Sequence, residues 1–108
     1  TEIIKKRNHF FFLFNRGSRW KGSALNFYYR PADKRRFGIA VSRKLGKAVY
    51  RNKVKRWLRE CYRLSRLRIK SYEIIVLPAR NIRNLSFHLI REEFERFLAA
   101  TGIGDNNT

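Results

Sequence analysis

Residues 43–70, RKLGKAVYRNKVKRWLRECYRLSRLRIK, hold twelve lysines and arginines against one acid, Glu60. Such side chains neutralise phosphate: the planar Arg fork grips two oxygens at once, and Lys supplies a compact point charge. At about 100° per residue, Arg51, Asn52, Lys55, Arg56, Arg59, Arg63 and Arg66 fill an arc of roughly 140°, while Val54, Trp57, Leu58, Cys61, Leu64 and Ser65 fill one of roughly 120°. The spacing predicts a helix over about residues 49–67, one face turned to a core and the other to a polyanion. A solvated helix face is the plain alternative for any single cation here, and Trp57 reads as core. Density decides between them, because cations so closely aligned with so little acid nearby have no internal partner. Arg43, Lys44, Lys47 and Lys53 add to the same charge, and the Asn52 amide can make a paired contact.

Residues suited to catalysis are scarce. His9 has no acid beside it in sequence, and His88 precedes Glu92 and Glu93 on a helical pattern that reads as solvated charge. There is no glycine-rich phosphate loop and no His or Cys cluster at metal-ligand spacing. The 8 acids are scattered or gathered near the last predicted helix, whereas a protein-only nuclease needs a cluster able to hold magnesium. Cys61, the one cysteine, falls on the apolar helix face; this rules out a disulfide within the chain and suits a reducing cytoplasm. The chain is therefore expected to bind nucleic acid and to be non-catalytic by itself. Rings at Phe10, Phe14 and Tyr28 can stack on unpaired bases, although core packing explains the phenylalanines equally well.

One domain spanning residues 1–108 is expected to position these groups, since that length supports a single core. The composition is 44% hydrophobic and 15% aromatic, too rich for a disordered basic tail, and the net charge of +18 draws polyanions. Nucleic acid is the foremost partner and an anionic membrane surface a distant second. No apolar run approaches the roughly 20 residues of a membrane span, and no signal peptide is visible. The chain starts at Thr1 and lacks Met, so an initiating residue is expected upstream.

A basic arm, 1–7, and a tail, 101–108, are expected to be flexible. The run Phe10-Phe11-Phe12-Leu13-Phe14 predicts a short helix over 8–16 that ends at Gly17 and turns Phe10, Leu13 and Phe14 to one side. Residues 17–23 read as a polar turn. Residues 24–30 read as a strand with Leu25, Phe27 and Tyr29 inside and Asn26 and Tyr28 opposite. With 36–42, whose Phe37, Ile39 and Val41 face inward, this strand is predicted to form a hairpin. Residues 72–78 are apolar on both sides apart from Glu73 and predict a central strand. A loop carrying Arg80 and Arg83 follows, and Ser86 caps a last helix with Phe87, Ile90, Phe94, Phe97 and Leu98 in one stripe. The order α-β-β-α-β-α is that of an α+β fold.

Residues 43–60, RKLGKAVYRNKVKRWLRE, resemble the RNR motif of the bacterial ribonuclease P protein component. The likeness extends to Phe10 and Phe14 before Gly17, the strand with Tyr28, residues 37–42 (FGIAVS), and Ile74-Ile75-Val76 before a closing helix. It implies a two-layer α/β sandwich with a left-handed βαβ crossover, a fold shared with a domain of a small-subunit ribosomal protein. It also implies a cytoplasmic subunit that binds ribonuclease P RNA, the catalyst that removes the 5′ leader of precursor tRNA using Mg2+ held mainly by the RNA. No membrane and no obligate protein partner are implied. The catalytic-RNA contacts would be Arg43, Lys44, Lys47, Arg51, Asn52, Lys53, Lys55, Arg56, Arg59 and Arg63. Leader contacts would be Phe10, Phe14, Asn26 and Tyr28, in a cleft beside the first helix. Lys47 stands where the family often has Asn, Lys53 where it commonly has Arg, and Asn26 at an often apolar position. Phe11 and Phe12 replace usually polar residues and are expected to add packing against Trp20. The rival reading is a basic ribosomal or ribosome-associated RNA-binding protein without a processing role.

Overall fold

The computed structural model describes residues 2–79, 82 and 84–104; the loop arginines Arg80 and Arg83 and the tail residues 105–108 lie outside them. Helices α1 (Arg7–Arg16), α2 (Ala48–Ser65) and α3 (Phe87–Thr101) surround strands β1 (Ser18–Lys21), β2 (Leu25–Pro31), β3 (Arg36–Ile39) and β4 (Tyr72–Pro78). The sheet order is β1-β2-β4-β3. Because β4 is apolar at successive positions, it needs cover on both faces, and it takes an interior place between β2 and β3. It runs antiparallel to β2 and parallel to β3, to which α2 joins it in a βαβ crossover. The expected hairpin of β2 with β3 is therefore not formed. The hairpin partner of β2 is β1, in the register Ser18↔Tyr29 to Lys21↔Asn26.

Residues 18–21 hide a strand inside what reads as a polar turn, because only one residue of the alternation is apolar. Trp20 packs on Phe27 and Phe97, with both ring separations 5.8 Å, whereas Arg19 and Lys21 pair with Tyr28 and Asn26 on the other face. The turn that follows is held by Glu93, which is buried on α3 and is not the solvated charge expected. Its carboxylate accepts from the amides of Ala24 at 2.7 Å and Leu25 at 3.0 Å and pairs with Arg96 at 3.2 Å.

α2 and α3 close one sheet face, forming the α+β sandwich. There Phe27 stacks on Phe97 with centroids 3.9 Å apart, Phe37 stacks on Tyr62 at 4.3 Å, and Val54, Leu58, Ile74, Val76, Ile90 and Phe94 fill the space between. Each such side chain stabilises the fold by about 1.5–3 kcal/mol when fully buried. The buried stripe of α2 is Val54, Leu58, Cys61, Tyr62 and Ser65, rotated about 50° from the expected one. Leu64 is exposed and Trp57 only half-buried, while Tyr62 turns inward because Phe37 offers it a ring to stack on. Ser86 caps α3 by accepting from the Leu89 amide at 3.1 Å.

α1 lies on the opposite face. Gly17 ends it in extended backbone, with a Cβ excluded by the Leu13 carbonyl 2.7 Å away. The arm expected to be flexible is docked at residues 2–4: Ile3 bridges Phe37, the Ile4 amide donates to the Phe37 carbonyl at 2.8 Å, and Ile4 is buried. An unpaired edge of β3 and an apolar pocket under α1 outweigh the low hydrophobicity of the segment. In the tail, Ile103 is likewise buried and Gly104 bridges Ile69.

Candidate nucleic-acid interfaces

The first surface is the outer face of α2 and the turn that leads into it. Ser42 accepts from the Lys44 amide at 3.1 Å and starts a 3-10 turn, Arg43–Leu45. Gly46 follows at φ +156°, where a Cβ would also press on the Tyr50 ring. This kink presents Arg43, Lys44 and Lys47 to solvent immediately before α2, whose first turn contains no acid. The Arg51 Nε donates to the Gly46 carbonyl at 3.1 Å and ties the turn to the helix. Tyr50 anchors the same end, its hydroxyl accepting from the Leu85 amide at 3.0 Å.

Along the helix Asn52, Lys53, Arg56, Arg59 and Arg63 are exposed, and Arg51 and Lys55 are half-buried. Their engagement differs in a way the sequence does not reveal. Arg63 is gripped by Glu60 through two bonds, at 2.9 and 2.5 Å, and this bond holds the Glu60 carboxyl below its ordinary range. Lys53 leans over the Trp57 ring with Nζ 5.9 Å from its centroid. Among the described residues, Asn52, Lys55, Arg56 and Arg59 make no side-chain bond within the fold. On the helix these four side chains, with Arg43, Lys44 and Lys47 of the leading turn, are open to an external phosphate. Cys61 lies beneath them, its thiol pushed up to about 11 by burial and so kept neutral and inert.

The second surface lies under and beside α1. Leu13 is fully buried with Ile4 and Ile75, while Phe10, Phe14, Tyr28 and Ala40 pack around them only half-covered. Phe14 meets Tyr28 edge-on at 5.0 Å and Phe10 at 6.3 Å. Gly38 makes this possible, because a Cβ there would sit 3.0 Å from the Phe10 ring and 3.1 Å from Ile4. Asn26 shares the face, its amide oxygen buried with no partner among the described residues. The structure thus brings Phe10, Phe14 and Tyr28 into contact and sets Asn26 on the same strand face. Phe11 and Phe12 are exposed; Phe12 packs beneath the Arg30 guanidinium, 4.6 Å from its ring centre, and not against Trp20, which belongs to the opposite sheet face.

Three features of this second surface are absent from the sequence reading. The buried Glu73 at its far end accepts from or faces His9 at 2.9 Å, Arg36 at 3.6 Å and Arg30 at 3.7 Å. His9 is therefore a partner across 64 residues of chain, not a lone surface group. Arg19 and Lys21 add a basic rim beside Tyr28 and Asn26. Recognising β1 as a strand would have revealed that rim, since opposite residues of an antiparallel pair share a face. No group of three or more His, Cys, Asp or Glu able to hold a metal ion occurs among the described residues.

Comparison with known proteins gives a consistent picture. Residues 1–102 match the family model described as Ribonuclease P. The chain is 40% identical over 107 residues to the ribonuclease P protein component of Dictyoglomus turgidum, covering 94% of this chain and 90% of that protein. The Thermotoga maritima component is 36% identical over 98 residues, 88% and 77% of the two chains. Among solved structures, the Staphylococcus aureus RNase P protein superposes with a TM-score of 0.88 at 29% identity, over 97% of this chain and 99% of that one. The Thermotoga maritima protein gives 0.81 at 32% identity, over 93% and 97%.

Proposed function

The chain belongs to the ribonuclease P protein family, and from that premise we propose that its two surfaces divide the work of tRNA 5′ maturation between two RNAs. As the protein subunit of the ribonuclease P endoribonuclease it is a partner of the enzyme's RNA. The outer face of α2 with its leading turn grips that catalytic RNA, through Lys55, Arg56, Arg59 and Asn52 foremost and Arg43, Lys44, Lys47, Arg51, Lys53 and Arg63 around them. The half-covered aromatic surface of Phe10, Phe14 and Tyr28, with Asn26 beside it, receives the single-stranded 5′ leader of precursor tRNA by stacking on its bases. Arg19 and Lys21 stand where they can follow the leader backbone.

The observation that carries this reading is the separation of unpaired cations and unfinished aromatic packing onto opposite sides of one sheet. Cleavage itself belongs to the RNA, and so mainly does the Mg2+ that supports it. Among the described residues the donor set does not fit that ion: no three acids, histidines or cysteines gather at one place, and Glu2, Glu60, Glu73, Glu92, Glu93 and Glu95 each pair with Arg or His side chains. The contribution of the protein is charge neutralisation and positioning, for which the cytoplasm is the natural compartment. Reconstitution with a bacterial ribonuclease P RNA tests it. Leader removal from precursor tRNA at low magnesium should require the protein, and high magnesium and salt should partly replace it. Cleavage by the protein free of RNA would overturn the assignment.

A further inference from the structure

A groove of about 1110 Å³ runs beside β3, between the docked N-terminal segment and the C-terminal half of α2. Its lining includes Lys34, Arg35, Arg59, Arg63, Arg66 and Lys70, and its one acid among the described residues is Glu2. The two oxygens of the Glu2 carboxylate are held separately. One accepts from the Tyr62 hydroxyl; the other accepts from the Arg66 Nε at 2.6 Å, with the Arg35 guanidinium 3.9 Å away. Burial works against the charge on Glu2, but the bonds from Arg66 and Tyr62 outweigh it and hold the carboxyl below its ordinary range.

We propose that this groove is a second phosphate site for the RNA backbone, in which the Glu2 carboxylate stands in for a phosphate until the RNA displaces it. The inference rests on the reading that α2 binds the catalytic RNA. Two donors on two oxygens is how a protein meets a phosphodiester, whose pair of free oxygens has similar spacing and charge. Two of the three groups facing the carboxylate are held independently of it: Tyr62 is stacked on Phe37, and the Arg35 Nη1 donates to the Arg66 backbone carbonyl at 2.7 Å. A site fixed in advance loses little freedom on binding. One carboxylate also leaves most of the surrounding charge unanswered, so a backbone that brings several phosphates is the stronger occupant.

Continuity points to the same RNA. Arg59 and Arg63 line the groove and also belong to the outer face of α2, so a strand lying along the helix enters the groove without crossing neutral surface. The swap needs no unfolding. Ile4 keeps its bond to the Phe37 carbonyl and its buried seat while the Glu2 side chain, partly exposed, swings outward.

The test is equilibrium binding of the full chain to a bacterial ribonuclease P RNA across a salt titration, with three variants. Glu2→Ala should raise affinity by roughly 3–10-fold and steepen the log–log salt slope by about one, as one more cation becomes free to exchange counterions for phosphate. Lys34→Ala with Lys70→Ala should weaken binding by a similar factor. Arg56→Ala, on the outer face of α2, is the control. If it weakens binding while the groove variants leave affinity and slope unchanged, the groove is no phosphate site and the reading of α2 survives. If no variant changes binding, both fall. Amide exchange at Ile4 reports whether Glu2→Ala keeps the segment docked; where it does not, the lysine pair decides.

Discussion

The two faces of the sheet are built from the same four strands but finished differently. Beneath α2 and α3 lies a closed apolar layer in which Phe27, Phe37, Phe94 and Phe97 are fully buried and mutually packed. Beneath α1 the buried apolar cluster among the described residues is no larger than Ile4, Leu13 and Ile75, and the rings of Phe10, Phe14 and Tyr28 are only half-covered. Two amphipathic helices can complete a layer that a single helix of 10 residues cannot. The difference separates stability from recognition. Closed packing fixes the base from which α2 presents its cations, whereas incomplete packing leaves aromatic surface uncovered, the surface proposed above to receive bases.

Variants on the two faces should separate most widely in stability. Phe27→Ala, which removes a ring from the closed layer, is expected to lose about 3–5 kcal/mol, against about 2 kcal/mol for Leu13→Ala under α1. Denaturant unfolding measures both, and equal losses would mean the α1 face carries as much of the fold. Next in size, replacing Lys55, Arg56 and Arg59 together with Ala should weaken assembly with the catalytic RNA by roughly 10–100-fold near physiological salt. Thermal unfolding of that variant should match the parent, because none of the three side chains bonds to another of the described residues.

Phe14→Ala or Tyr28→Ala should weaken binding of leader-bearing precursor by about 1 kcal/mol or more, the worth of one stacked base. Mature tRNA should bind unchanged, and equal losses for both ligands would assign the effect to a damaged sheet. Arg63→Ala should cost less RNA affinity than Arg56→Ala, since Glu60 already holds Arg63; a side-by-side titration decides. The smallest effect is alkaline. The Cys61 thiol ionises at its ordinary 9.0 when unfolded but near 11 in the fold, so burial favours the neutral form and supports folding fully below the first value. That support is lost as pH rises toward the second. Tyr62, pushed up by burial and by its bond to Glu2, acts in the same direction at higher pH. Unfolding midpoints followed across that window should decline less for Cys61→Ala.

The parts legible in the sequence are those set by neighbours along the chain. The two-faced α2, the span of β4 at 72–78, the Ser86 cap and the shared face of Phe10, Leu13 and Phe14 all follow from helical or strand periodicity within one segment. The charge of +18 and the RNR-like stretch carry the family and its RNA partner by the same local route.

What only the tertiary structure decided depends on residues far apart in sequence. Strand order places β4 between β2 and β3 and so denies the hairpin that alternation alone suggests. Tyr62 lies among cations on the helical wheel, yet it is buried because Phe37 waits there. Glu2, Glu73 and Glu93 look like scattered acids, yet each closes a network spanning some 60 to 70 positions of chain, with Tyr62, with His9 and with the Ala24 amide. Periodicity reports which way a side chain points relative to its own backbone, and not what another segment brings to meet it. The cationic face of α2 was therefore predictable as a pattern. Which of its cations are engaged within the fold depends on the partners other residues supply, as Glu60 does for Arg63 and Trp57 for Lys53.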